Sequence, residues 1–216
     1  MTVQEWKIDR WSVKRLCTDP SAPAVYVHGE GIEADGWTVI SVGNADWNLD
    51  LTPWPEKAVF RGQPDFGGGA GEYLRVLTQR IIPAAEADIR PAARAVMGYS
   101  LAGLFAVYAA LETDVFDAVA SVSGSMWYPG FAEYARQKER APKAAYFSVG
   151  EREKRSRNAH FRMIDECTES VRRSFELRGA HTAFELNSGG HFDDPEGRMR
   201  RALCWMKDAF DRQNGG

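Results

Sequence analysis

The stretch from Ala95 to Leu111, A-V-M-G-Y-S-L-A-G-L-F-A-V-Y-A-A-L, carries no charge along its whole length. That length touches the lower edge of what crosses a bilayer as a helix, so its placement constrains every other assignment. Gly98, Ser100 and Gly103 interrupt it near its start. A short buried strand over Ala95–Met97, a sharp turn at Ser100 and a buried helix with the stripe Leu104, Phe105, Tyr108 and Leu111 account for it better than a membrane span.

The rest of the chain repeats this alternation. Apolar, β-branched runs at Ala24–Val27, Thr38–Val42, Ala118–Ser123, Ala145–Val149 and Ala183–Leu186 read as further strands. They are continuous rather than alternating, which suits a sheet covered on both faces. Between them, Tyr73, Leu74, Leu77 and Ile81 recur at helical spacing within Glu72–Ile82. Ile164, Cys167, Val171 and Phe175 form another stripe, with Gly179 placed to cap it, and Pro195 opens a last helix bearing Met199, Leu203, Met206 and Phe210. The pattern predicts an α/β fold with a mostly parallel central sheet and helices on both faces. No linker rich in Pro, Ser or charge divides the 216 residues, so a single domain over 1–216 is expected. Two connections are long and aromatic: Gly43–Gly71, with Trp47, Trp54, Phe60 and Phe66, and the segment holding Trp127, Tyr128, Phe131 and Tyr134. Long ordered loops in a small α/β protein usually carry function.

Composition narrows the partners. Lys plus Arg is 27 against 30 for Asp plus Glu, without the basic excess that phosphate neutralisation leaves, so no nucleic acid is expected. Cys17, Cys167 and Cys204 lie far apart with no C-x-x-C pair, which argues against a disulfide framework and for a reducing, cytoplasmic setting. The start M-T-V-Q-E-W-K-I-D-R has both charge signs and no apolar core, so neither a secretory signal nor a membrane partner is expected. No H-E-x-x-H or comparable ligand spacing calls for a metal or other cofactor. The cluster Gly67-Gly68-Gly69-Ala70-Gly71 lacks the G-K-[S/T] ending of a phosphate-binding loop and reads as a flexible approach to the helix at Glu72.

The chemistry concentrates at Gly98-Tyr99-Ser100-Leu101-Ala102-Gly103. A serine on a tight strand-to-helix turn needs small residues two positions before and after it, because the two backbones almost touch there; Gly98 and Ala102 satisfy this. The helix start would aim the Leu101 amide at a developing oxyanion. A serine hydroxyl needs a base. His28 follows a strand and fits a turn role, whereas His160 and His181 lie in or beside a helical segment. His191 sits in S-G-G-H-F-D-D-P between the last strand and the last helix, at the sheet edge where α/β proteins gather their sites. The acid that orients the histidine should follow the strand Ala145–Val149, where Glu151 and Glu153 both qualify and Glu153 is preferred. Asp193 and Asp194 are too close to His191 in sequence to serve easily.

The combination G-Y-S-L-A-G-L, S-V-G-E-R-E-K and G-G-H-F, in this order, resembles the putative-esterase family of α/β-hydrolases from about Val39 to Trp205. That family includes esterase D types, feruloyl esterases and the esterases that open siderophore trilactones. The resemblance implies an α/β-hydrolase fold, a small-molecule carboxylic ester as substrate, Ser100 as nucleophile, His191 as base and Glu153, three residues after Gly150, as acid. The length leaves little room for a large cap domain. Two departures stand out. Ala102 replaces the commoner glycine, and the H-G-rich loop after the third strand of the family is matched only by Val27-His28-Gly29-Glu30-Gly31. Gly29 is the expected second oxyanion donor, with the Asn44–Trp47 turn as the alternative, and the first crossover helix should be short or absent. Trp127 and Tyr128 are expected to line the substrate pocket, with Trp47 and Trp54 as another wall. Arg152, Lys154, Arg155, Arg157, Arg198, Arg200 and Arg201 read as solvated faces; the second reading is that some rim the pocket and favour an anionic ester. An acyltransferase or thioesterase would use the same triad, and a non-catalytic binding protein could use the same scaffold.

Overall fold

Strand β3 (Ala24–His28) is apolar at four of its five positions and wholly buried, and it sits at the centre of an eight-stranded sheet. The computed structural model describes residues 1–29, 32–59, 62–156 and 158–214; Glu30, Gly31, Phe60 and Arg157, named above, lie outside them. The other strands of the large sheet are β1 (Thr2–Ile8), β2 (Trp11–Cys17), β4 (Thr38–Gly43), β7 (Arg94–Tyr99), β8 (Ala118–Val122), β9 (Ala144–Gly150) and β10 (His181–Asn187). A two-stranded ribbon, β5 (Pro55–Glu56) with β6 (Phe66–Gly67), lies apart. The order in the large sheet is β1-β2-β4-β3-β7-β8-β9-β10. All pairs from β4 to β10 are parallel, and β2 joins β4 antiparallel with β1 hairpinned outside it.

The period of two along each strand sorts the core into two layers. Tyr26, Val96, Val119 and Phe147 face one layer, where they meet Leu77, Phe105, Val171 and Phe175. Val25, Met97, Ala120 and Tyr146 face the other, against Met199, Leu203, Met206 and Phe210. The first layer is covered by helices α2 (Ala70–Val76), α4 (Leu101–Glu112) and α7 (Ile164–Glu176), the second by α8 (Pro195–Asn214). The remaining helices are α1 (Trp47–Asp50), α3 (Ile82–Ala85) and α6 (Ala159–Arg162), of four residues each, and α5 (Phe131–Gln137), of seven. Between α2 and α3 the chain widens into a π-helical stretch, Leu77–Ile81, next to Pro83, which has no N–H to continue the regular ladder.

Each expected strand and helix has its counterpart here, and two features differ from expectation. The N-terminal hairpin adds two strands to those expected, and in its second strand Trp11, Val13, Arg15 and Cys17 alternate buried with exposed or half-buried neighbours. Phe131 and Tyr134 belong to helix α5 rather than to a loop. As expected, the uncharged run Ala95–Leu111 is strand, turn and a helix of 12 residues; no helix among the described residues is long and apolar enough to cross a membrane. Between β3 and β4 the described residues contain no helix.

His28 ends β3 inside the core, its ring edge-on to Tyr73 and to Phe105 at centroid distances of 5.4 and 4.8 Å. Burial pushes its pKa down to about 4, against a weaker opposing pull from the Met97 backbone, and neither ring nitrogen makes a hydrogen bond of normal geometry. The unfolded chain therefore takes up this proton near pH 6.5 while the folded protein resists until about pH 4. The contribution of His28 to stability is full above pH 6.5 and declines as the pH falls, by about 3 kcal/mol at pH 4. Urea denaturation at pH 7 and pH 4 should show His28→Leu losing less stability over this interval than the parent by about that amount; parallel losses would show that His28 does not carry the acid sensitivity.

Candidate active site

Strand β7 runs into Ser100, whose backbone has φ 57° and ψ −123°. A serine held at positive φ is costly and persists only where its surroundings over-determine it. Here three backbone hydrogen bonds do so: the Ser100 N–H donates to the Val122 carbonyl at 3.2 Å, and the Ser100 carbonyl accepts from Leu104 at 3.1 Å and Ser125 at 3.0 Å. Close approach explains the small residues. A Cβ on Gly98 would lie 2.6 Å from the Ala102 Cβ and press on the Ala102 carbonyl, and one on Gly103 would lie 2.9 Å from the Gly124 Cα. Ser100 is the N-cap of α4, yet its side chain makes no capping bond, which leaves the hydroxyl to another partner. Leu101, the first helical residue, lies on the wall of the adjoining cavity, at a helix start whose first amides have no acceptor within the helix.

That other partner is His191, in the loop between β10 and α8. Its Nε2 stands 3.1 Å from Ser100 Oγ, and its Nδ1 stands 2.8 Å from Glu153 Oε2. The pattern fits a Ser100 hydroxyl donating to Nε2 and an Nδ1–H donating to the carboxylate. The Tyr99 hydroxyl donates to the His191 carbonyl, holding the loop from the nucleophile side. Glu153 lies in a short 3₁₀ turn after β9, with its side chain 5% exposed. Its Oε1 accepts from the Gly150 amide at 2.6 Å and from Arg198 Nη1 at 3.3 Å. Burial pushes the Glu153 carboxyl up, but the bond and charge of His191, the Gly150 amide and the Ser123 hydroxyl outweigh it and hold the group below the usual carboxylate range. Glu151, the alternative acid, is exposed, and its amide donates to Asn187.

A cavity of about 540 Å³ opens on Ser100 and His191. Val59, Phe66, Trp127, Phe161 and Phe192 give it apolar walls, while Asn48, Ser125, Arg152 and Arg155 supply polar groups. Phe192 is 87% exposed and stands edge-on to the His191 ring, 5.0 Å between centroids. Of the aromatics expected here, Trp127 lines the cavity, and three others require correction. The Trp54 ring packs among Tyr128, Phe131 and Tyr134, with its Nε1–H donating to the Pro129 carbonyl. Tyr128 is buried behind the wall and its hydroxyl donates to the Trp54 carbonyl. These two residues hold the aromatic loops together instead of facing a ligand. Trp47 is half-exposed on α1 and is absent from the cavity wall.

Gly29 also requires correction. Its N–H donates to the Val42 carbonyl at 3.0 Å, extending the β3–β4 ladder, so it has no free hydrogen for an oxyanion. In the alternative Asn44–Trp47 turn, the Asp46 amide is taken by the Asp50 carboxylate, and Asp46 in turn caps the amides of Asn48 and Leu49. Among the arginines, Arg200 and Arg201 pair with acidic neighbours on exposed faces as expected. Arg198 does not: it is fully buried beneath the site. Arg152 lies on the cavity wall and is paired with Asp193 at 2.8 Å; Arg155 lies there with no ion-pair partner among the described residues.

A family model described as putative esterase matches residues 26–192. Over 137 residues the chain is 31% identical to the uncharacterized protein YbbA of Bacillus subtilis (strain 168), a match that covers 60% of this chain and 55% of YbbA, so it spans about half the length of that relative. The siderophore hydrolase EstA from Aspergillus nidulans superposes with a TM-score of 0.75 at 19% identity, over 96% of this chain and 94% of its own. An IroE-like serine hydrolase from Shewanella oneidensis gives a TM-score of 0.75 at 13% identity, over 94% of this chain and 78% of that one. At such identities the likeness is one of fold, and the fold is that of the α/β-hydrolases.

Proposed function

Because the chain belongs to the esterase family whose model spans residues 26–192, we propose that it hydrolyses carboxylic esters of small molecules with Ser100 as nucleophile, His191 as base and Glu153 as the acid that orients the histidine. The observation that carries this reading is the unbroken relay from Ser100 Oγ through both His191 nitrogens to a buried carboxylate, its members drawn from the carboxyl ends of β7, β9 and β10. His191 takes the Ser100 proton as Oγ attacks the ester carbonyl, and Glu153 stabilises the resulting imidazolium. The Leu101 amide stabilises the oxyanion from the helix start. The imidazolium then protonates the departing alkoxide, and water attacks the acyl-enzyme by the same route in reverse.

A fluorophosphonate probe tests the reading. Purified protein should be labelled at Ser100, and His191→Ala should abolish labelling within the same time. A parent protein that resists the probe and turns over no member of an aryl and alkyl ester panel would leave only a binding protein on this scaffold. Turnover of thioesters, or product carrying an added acceptor alcohol, would shift the assignment to thioesterase or acyltransferase on the same residues.

The cavity wall sets an expectation about charge. Arg155 has no competing ion-pair partner among the described residues, so an anionic group on the ester would find a cation there. Replacing Arg155 by Ala should raise KM for carboxylate-bearing esters about fivefold, the worth of an exposed charge pair, with neutral esters unaffected. Steady-state kinetics on matched neutral and anionic substrates decides this, and equal changes on both would remove Arg155 from substrate selection.

A further inference from the structure

Helix α8 turns a cation inward. Arg198 has no solvent exposure at all, and taking a guanidinium out of water is expensive unless its hydrogens are used. Here they are used on four separate pieces of chain. Nη1 donates to Ser123 Oγ at 2.8 Å, just past β8, and to Glu153 Oε1 at 3.3 Å, with Tyr99 Oη at 3.4 Å. Nη2 donates to the carbonyls of Ser188 at 2.9 Å and Gly190 at 2.8 Å, which precede His191. Only Nε lacks a partner. The Gly150 Cα also lies against this group: a Cβ there would come within 2.9 Å of Nη2.

We propose that Arg198 is the positioning residue of this site, a buried guanidinium whose fork fixes Glu153 and the His191 loop relative to one another so that Nε2 faces Ser100. The inference rests on the esterase reading above. A buried ion pair is weak evidence for stability, since an apolar residue of similar size often serves as well or better. What an apolar residue cannot supply is two planar N–H pairs that reach a carboxylate oxygen and two loop carbonyls at once. Glu153 is thereby held at both oxygens, one by Arg198 and Gly150 and one by His191.

The charge has its own consequence. The charged and titratable groups around the cluster are Glu153, His191, Tyr99 and Asp193, with Arg152 paired to Asp193. Removing the cation takes a positive charge from beside Glu153, which then binds a proton more readily, so the acid limb of kcat/KM must move to higher pH. A residue that only held the fold together would not move that limb.

The test compares Arg198→Met, which removes the charge, with Arg198→Lys, which keeps it and loses the fork, on a neutral aryl ester from pH 5 to pH 9. Arg198→Met should lower kcat about 100-fold with KM within about threefold, and raise the acid limb by about one pH unit. Arg198→Lys should leave the limb in place and lower kcat about tenfold. Wild-type kcat in either variant, or a fall in Arg198→Met with an unmoved limb, overturns the proposal. If Arg198→Met does not fold, Arg198→Lys decides alone: the tenfold loss with an unmoved limb supports the fork, and unchanged kcat overturns it. Failure of the underlying reading looks different, because the parent protein would then neither hydrolyse the ester nor take up fluorophosphonate, whatever stands at position 198.

Discussion

Replacing Ser100 by Ala should lower kcat/KM for a neutral aryl ester by about 10⁴-fold or more, with a fall of the same order in His191→Ala. The combined variant should be no slower than the worse single one. In the proposed mechanism the two side chains perform one act: the hydroxyl is inert without the Nε2 acceptor 3.1 Å away, and the imidazole has no proton to take without the hydroxyl. Glu153→Gln should cost less than either, about 10² to 10⁴, because an amide in that pocket can still position the ring but can favour the wrong tautomer and cannot stabilise the imidazolium. Initial rates on the three single variants and the double, with circular dichroism to verify folding, measure all of this. Losses that multiply in the double variant would mean that Ser100 and His191 act on separate steps, and residual wild-type turnover in Ser100→Ala would move the nucleophile elsewhere.

Parts of this site were legible because backbone sterics write themselves into residue choice. A serine at φ 57° between Gly98 and Ala102 needs small neighbours, and no other stretch of the chain placed such a turn between an apolar strand and an apolar helix. Glu153 was legible from its distance beyond β9, and His191 from its place between β10 and α8. Long-range packing was not. Nothing local distinguishes Trp127, which reaches the cavity, from Trp54 and Tyr128, which brace each other behind it. Gly29 matched the family pattern by residue type, but its amide is consumed by the β-ladder, a fact of register that depends on β4. Arg198 carried a usable signal that its charge masked. It stands four and eight residues before Ala202 and Met206, both fully buried, so the helical period puts it on the inward face of α8. A charged residue on an apolar face marks either an error of period or a buried partner, and Glu153 is that partner.

The turn itself should be the least tolerant point of the chain. Gly98→Val should cost about 3 kcal/mol or more, lowering the melting temperature by about 10 °C, and should drop turnover about 100-fold in whatever fraction stays folded. The added carbons would meet the Ala102 carbonyl, which is part of the first turn of α4 and is fixed by the helix ladder, so the clash must be relieved by moving the strand or the helix. Either movement displaces Ser100, since its amide and carbonyl tie it to Val122 and to Ser125 on the neighbouring β8 segment. The conservative pair sharpens the point. Ala102→Gly alone should cost only about 1 kcal/mol, the helix propensity difference, because it opens space. Combining it with Gly98→Ala removes the contact between the two Cβ atoms but leaves the one with the backbone, so the double variant should remain nearly as unstable as Gly98→Ala alone. Thermal denaturation of the four proteins separates the two contacts: full rescue by Ala102→Gly would mean that side-chain crowding, and not the approach of the α4 backbone, fixes glycine at position 98.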